Sequence, residues 1–126
     1  MEEAKRYNSN KIMPDLIPPE VIYYLSAVFT EGGLKYGFRN WESGFKFSVL
    51  LNSLERHLLA FKSGEDIDEE SGLPHLAHLL CNASMLLSHY HKKVGVDDRI
   101  KFKLPNEIGN RLKNSKENHK WILNHF

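Results

Sequence analysis

Three apolar stripes at helical spacing, each fenced by proline or glycine, restrict this chain to helix-on-helix packing. The first begins at Pro18-Pro19-Glu20. Proline at the first helical position loses no hydrogen bond, and Glu20 favours the positive end of the helix. Val21, Tyr24, Leu25 and Val28 follow at the helical period, and Glu31-Gly32-Gly33 reads as a stop, so the spacing predicts a helix over about 18–31. The second stripe, with Ser48 as the expected cap, holds Phe47, Leu50, Leu51, Leu54, Leu58 and Phe61 and ends at Gly64. The third starts at Pro74 and runs to about Lys92, with Gly95 beyond it. No alternating pattern of the kind a half-buried strand needs appears. The expected class is all-α, a compact helical bundle completed by oligomerisation.

The rest of the chain is weaker in pattern. Residues 1–16 look irregular. Residues 32–47 are broken by glycine and rich in aromatics. After residue 96 the run Lys-Phe-Lys-Leu-Pro reads as extended. A last helix from about Asn106 is expected to place Ile108 and Leu112, then Trp121, Ile122 and Phe126, against the body. The length of 126 residues fits one domain, 1–126. The single cysteine, Cys81, forms no internal disulfide, so a reducing, cytoplasmic compartment is expected. No apolar run approaches ~18 residues and no signal peptide is expected, so no membrane is implied. A net charge of +1 argues against a general partner for nucleic-acid polymers. Charge is unevenly placed: residues 1–91 hold 8 basic and 12 acidic side chains, and residues 92–126 hold 9 and 4. Residues 101–126 therefore form a basic C-terminal extension.

The third helix carries chemistry. At ~100° per residue, His75, His78, Asn82, Met85 and His89 fall within roughly 80° of one another. Leu73, Leu76, Leu80, Ala83 and Leu87 cluster opposite, which predicts a leucine face toward the core and a separate imidazole–amide stripe. His57 lies at the edge of the second helix's apolar side, where it can meet that stripe. His91 falls near the core side, and His119 and His125 fall in the tail. Just before the third helix, Glu65, Asp66, Asp68, Glu69 and Glu70 put five carboxylates into six positions. Such a run is either fully solvated or holds a cation. Imidazole suits Zn, Mn or Fe, and carboxylate suits Mg or Mn. The pattern is not a calcium loop, since Ser71 stands where glycine is required and Ala77 where glutamate is. Cys81 lies in an apolar stretch and reads as packing.

Lys35, Tyr36, Arg39, Asn40 and Trp41 form a second candidate site within seven residues. Lysine and arginine bind phosphate, an aromatic face stacks a base, and asparagine reads a base edge. Tyr36 and Trp41 equally suit core packing.

These segments carry a resemblance. Asp15-Leu-Ile-Pro-Pro-Glu20, Lys35-Tyr-Gly-Phe-Arg-Asn-Trp41 and Arg56-His-Leu-Leu-Ala60 resemble the phage-associated dATP/dGTP diphosphohydrolase N-terminal domain family. So do Gly64-Glu-Asp-Ile-Asp68, Ser71-Gly-Leu-Pro-His-Leu-Ala-His78, Cys81-Asn82 and Asp97-Asp-Arg99. The likeness covers about residues 14–100. It implies metal-dependent cleavage of dATP or dGTP to monophosphate and pyrophosphate, on an all-α architecture comparable with MazG-like pyrophosphohydrolases. Under it, Glu65, Asp66, Asp68 and Glu70 hold Mg²⁺ or Mn²⁺, and His75, His78 and Asp68 are the catalytic candidates. Arg39, Lys35 and Arg56 neutralise phosphate, Trp41 or Tyr36 stacks the purine, and Asn40 or Asn82 reads its edge, with His57 on the same substrate-binding wall. One departure is plain. The second helix has only Glu55 among its interior residues, so the paired acidic helices of MazG-like enzymes are not reproduced. The alternatives are a phage protein that sequesters a cyclic or ADP-ribose-derived immune signal without cutting it, and an interaction protein whose histidine stripe packs on a partner.

Overall fold

The computed structural model describes residues 2–7 and 10–114. Among them are four α-helices: α1 (Pro19–Tyr36), α2 (Phe47–Lys62), α3 (His75–Lys92) and α4 (Asn106–Asn114). Short 3-10 turns occupy Pro14–Leu16 and Asn40–Ser43. The expected all-α class stands. Trp121, Ile122, Phe126, His119 and His125 lie outside the described residues.

Helix α3 is the spine, packed on one side by α2 and on another by α1. The small core where α1 meets α3 is Val28, Ala77 and Cys81, with Leu25, Phe29, Leu73 and Met85 against it. On α2, Phe47 and Leu50 are buried, Leu51 and Leu54 half-buried, and Leu58 and Phe61 reach the surface.

Most of the expected apolar face of α3 points outward and its polar stripe inward, although Leu73 packs against the core. His75, Asn82 and His89 are buried with Ala77 and Cys81, whereas Leu76, Leu80 and Leu87 are exposed. The polar stripe goes inward because each of its imidazoles and its amide finds at least one partner there, which lowers the cost of burying it. His91 is exposed, not on the core side.

Helix α1 does not stop at Gly32-Gly33 but runs five residues further than expected, to Tyr36, and ends at Gly37 with φ 101°. Glycine inside a helix costs about 1 kcal/mol against alanine. The reason at Gly33 is local: a Cβ there would sit 2.4 Å from the Phe38 ring, which folds back over it. Ser48 is not the cap of α2. Lys46 holds that position, and the orphan donors of the first turn are met from 50 residues away, where Asp98 accepts from both the backbone N–H and the hydroxyl of Ser48. The same return segment pairs with the chain before α2: Phe47 N–H donates to Val96 O at 2.8 Å and Val96 N–H to Phe45 O at 3.1 Å. The stretch 101–105 is not helical, and α4 begins at Asn106 as expected. Its Ile108 and Leu112 are exposed and do not pack on the body.

Candidate functional site

A cavity of about 320 Å³ opens between the C-terminal half of α1, the 37–45 connection, α2 and the inward face of α3. That volume is within the range of small-molecule sites, roughly 300–1,000 Å³. Lys35, Tyr36, Arg39, Asn40 and Trp41 line one part of it. His57, Asp68, Glu70, His78 and Asn82 line another. Residues of the two sequence candidates therefore line one cavity. Four expected members lie elsewhere: Arg56 is exposed on α2, Glu65 and Asp66 are exposed on the loop, and His75 is buried behind the wall.

The aromatic–basic segment divides by role. Trp41 is half-buried, with its ring 5.5 Å from Phe29 and 5.9 Å from His89, so it is both packing and wall. Tyr36 is exposed and does not pack in the core; Lys35 Nζ sits 5.2 Å from its ring centroid. Lys35 also donates to Glu70 Oε1 at 2.9 Å, tying the end of α1 to the acidic loop. That bond, then Tyr36, hold the Lys35 pKa well above the usual lysine range. Arg39 donates to Glu42 at 2.6 Å from a left-handed backbone, φ 63°, which costs a non-glycine residue strain.

The loop between α2 and α3 is folded tightly. Asp68 N–H donates to Leu73 O, Gly72 N–H to Asp68 O, and His75 N–H to Asp66 O. Its carboxylates do not converge. Glu65 lies 3.1 Å from His75 Nε2, Asp68 accepts from Ser71, and Glu70 pairs with Lys35. Among the described residues, no group of three or more His, Cys, Asp or Glu is arranged to hold a metal ion. The expected ligand set of Glu65, Asp66, Asp68 and Glu70 is therefore not a protein-built cage. Each acidic side chain that faces inward already serves a different partner.

Asp68, Ser71 and His78 form a continuous chain. Ser71 lies 2.8 Å from Asp68 Oδ2 and 2.6 Å from His78 Nε2. Burial opposes the Asp68 charge, but the Ser71 hydroxyl and backbone N–H, with His78 and His57 nearby, leave its pKa below the usual carboxylate range. An ionised Asp68 only accepts, so Ser71 donates its one hydroxyl proton to it and His78 donates from Nε2 to Ser71 Oγ. The His78 ring stacks on His57 at 4.5 Å with 8° between planes. Burial, then His78, then His75 hold the His57 pKa below the ordinary imidazole value, so His57 is neutral at pH 7. Asn82 donates to Ser53 Oγ at 3.1 Å and to His78 O at 3.0 Å, which fixes its amide at the cavity wall.

Sequence reasoning missed Ser71, Ser53 and Glu31, all on the cavity wall. Ser71 had a signal: it sits three residues after Asp68 in a loop closed by Gly72, the spacing of a side-chain-to-backbone turn. Glu31 had none, because it was read as part of a helix stop. Cys81 also reaches the wall, but burial, then the Glu31 carboxylate, push its thiol up to about 11, so it is no nucleophile at neutral pH.

The family described as dATP/dGTP diphosphohydrolase, N-terminal, matches residues 1–99. A dATP/dGTP diphosphohydrolase of Salmonella phage PMBT28 is 31% identical over 94 residues, which cover 75% of this chain and 32% of the relative. The chain thus spans about a third of that relative's length. No solved structure matches.

Proposed function

The chain belongs to the dATP/dGTP diphosphohydrolase N-terminal family, and from that premise we propose that its cavity binds a purine deoxynucleoside triphosphate and hydrolyses it to monophosphate and pyrophosphate. The observation that carries this reading is the union, in one cavity, of a cationic–aromatic segment with an aspartate–imidazole network. Lys35 and Arg39 change partners from Glu70 and Glu42 to phosphate oxygens. Exposed ion pairs contribute little stability, so the exchange is cheap. Trp41 supplies a face for the purine and Asn82 an amide for its edge. His57 and His78 offer imidazoles near the reacting phosphorus. Mg²⁺ or Mn²⁺ would come as the counter-ion of the triphosphate and would supply charge stabilisation there, since the side chains alone build no cage for it.

Incubation with dATP, dGTP and a panel of cyclic nucleotides, with Mg²⁺, Mn²⁺ or chelator, tests the reading by chromatography of products. Metal-dependent release of dAMP or dGMP with pyrophosphate is the expected result. Tight binding with nucleotide recovered intact after denaturation would assign sequestration in its place.

We also propose that a second copy covers the leucine face of α3, since Leu76, Leu80 and Leu87 are exposed along one helix. Sedimentation should give a mass above 14.6 kDa that falls to the monomer in Leu80→Glu/Leu87→Glu. A monomeric parent would discard the idea. No helix among the described residues is long and apolar enough to cross a membrane. We place the activity in the bacterial cytoplasm, where a phage nucleotide hydrolase meets its substrate.

A further inference from the structure

Two imidazoles meet nitrogen to nitrogen beneath the cavity. Nδ1 of His57 lies 2.9 Å from Nδ1 of His75. At that distance one nitrogen carries the proton and the other offers its lone pair. If His75 were the donor, its neutral ring would turn a lone pair at Nε2 toward Glu65, whose Oε1 is 3.1 Å away. Lone pair and carboxylate repel. If His57 donates, His75 carries its own proton on Nε2 and aims it at that carboxylate, which attracts. His75 Nε2 is buried and has no other partner, so the charge of Glu65 decides the matter. Glu65 acts on that nitrogen through its charge at 3.1 Å, from a half-exposed side chain.

The choice propagates to the cavity. With its proton on Nδ1, neutral His57 keeps a lone pair on Nε2, at the outer tip of a ring that lines the cavity. Among the described residues no hydrogen bond reaches that atom. The rival imidazole is placed the other way round. Ser71 occupies Nε2 of His78, and only Nδ1, next to the helix backbone, is left over.

We infer that Nε2 of His57 takes the proton of the attacking water, and that Glu65 and His75 are positioning residues that hold His57 in the competent tautomer. The inference rests on the hydrolytic reading above. In the step, a water O–H bond breaks and its proton forms the N–H bond at Nε2. The water oxygen bonds to the α-phosphorus, and the bond from that phosphorus to the bridging β-oxygen breaks. Pyrophosphate departs with the electron pair, and the imidazolium returns its proton to pyrophosphate or to solvent. Glu65 and His75, expected from the sequence to hold metal and to act directly, here act through His57.

Two measurements test it. In the full chain with ¹⁵N-labelled histidine, long-range ¹H–¹⁵N correlation at neutral pH should show His57 protonated on Nδ1 and His75 on Nε2. The opposite pattern overturns the positioning role whether or not the protein is active. In kinetics on dATP and dGTP, His57→Gln should lower kcat ~100-fold or more, and His75→Leu by about the same factor through misplacement, both with little change in KM. His75→Asn puts an amide oxygen where Nδ1 stood and should recover most of the lost kcat. Full kcat in folded His57→Gln, or His75→Asn no better than His75→Leu, rejects the inference. If the parent protein turns over neither nucleotide, the hydrolytic reading falls and the proton-acceptor role with it, while the tautomer pattern is still decided by the spectrum.

Discussion

The two ends of α3 are held in different ways. At the N-terminal end, polar atoms do the holding: His75 against His57, His78 against Ser71, Ser71 against Asp68. At the C-terminal end, fit does it. His89, 2% exposed, stacks between the Trp41 and Phe45 rings and accepts the Phe45 N–H at Nε2, 3.2 Å. Gly95 then presses against the same stretch of chain, where a Cβ would lie 2.3 Å from Phe45 O. The first end has lone pairs to spare and faces the cavity. The second is closed by packing. The histidines at the two ends are thus held differently, His75 and His78 in a polar network beside the cavity and His89 as a wedge between rings.

If this contrast is right, damage at the packed end should cost stability and damage at the polar end should cost turnover. The largest effect is expected for Gly95→Ala. Its φ of 78° and the approach to backbone leave no room, so a loss of about 3 kcal/mol or more is expected in urea unfolding. An unchanged midpoint would break the comparison. Next, Asp68→Asn and His78→Ala should each lower turnover of dATP or dGTP ~100-fold while helical circular dichroism persists. Full activity in both would move the chemistry elsewhere. His89→Leu comes third: it strands the Phe45 N–H and should cost about 1–3 kcal/mol, with kcat of the folded fraction unchanged.

The smallest effect is in pH. His57 and His89 are held below the ordinary imidazole value, His89 by burial and then Lys92. The unfolded chain therefore binds more protons below about pH 6.5, and stability should fall as pH drops from there through the folded values. A second loss follows at lower pH. Asp97, held to about 2 by Arg99, and Asp98, lowered by Ser48, contribute stability that is present above about pH 4 and disappears on further acidification. Melting temperatures from pH 7 to 3 check both, and His89→Leu should flatten the first step.

Much of this was readable in the chain. Pro74 marked the start of α3, and Asp68, Glu70 and His78 marked part of the cavity wall, because those signals are local. The inward face of α3 was not readable. Periodicity sorts leucine from histidine, but an imidazole that stacks on a second imidazole and bonds a serine is at home inside. Asp98 at the start of α2 was equally invisible, since nothing near Ser48 points 50 residues ahead. Gly32-Gly33 looked like a terminus because glycine usually ends helices, whereas here Gly33 makes room for the Phe38 ring and Gly32 lines the cavity.

The Lys35–Glu70 pair has a consequence for how the cavity responds to its solvent. It is the strap between the end of α1 and the acidic loop, and both side chains are largely exposed. At physiological ionic strength screening acts over about 8 Å, and over less as salt rises. Dissolved ions therefore compete with the strap and with any incoming phosphate at once. Salt loosens the mouth of the cavity and, by the same screening, weakens what would enter it, so occupancy should pass through a maximum at intermediate ionic strength.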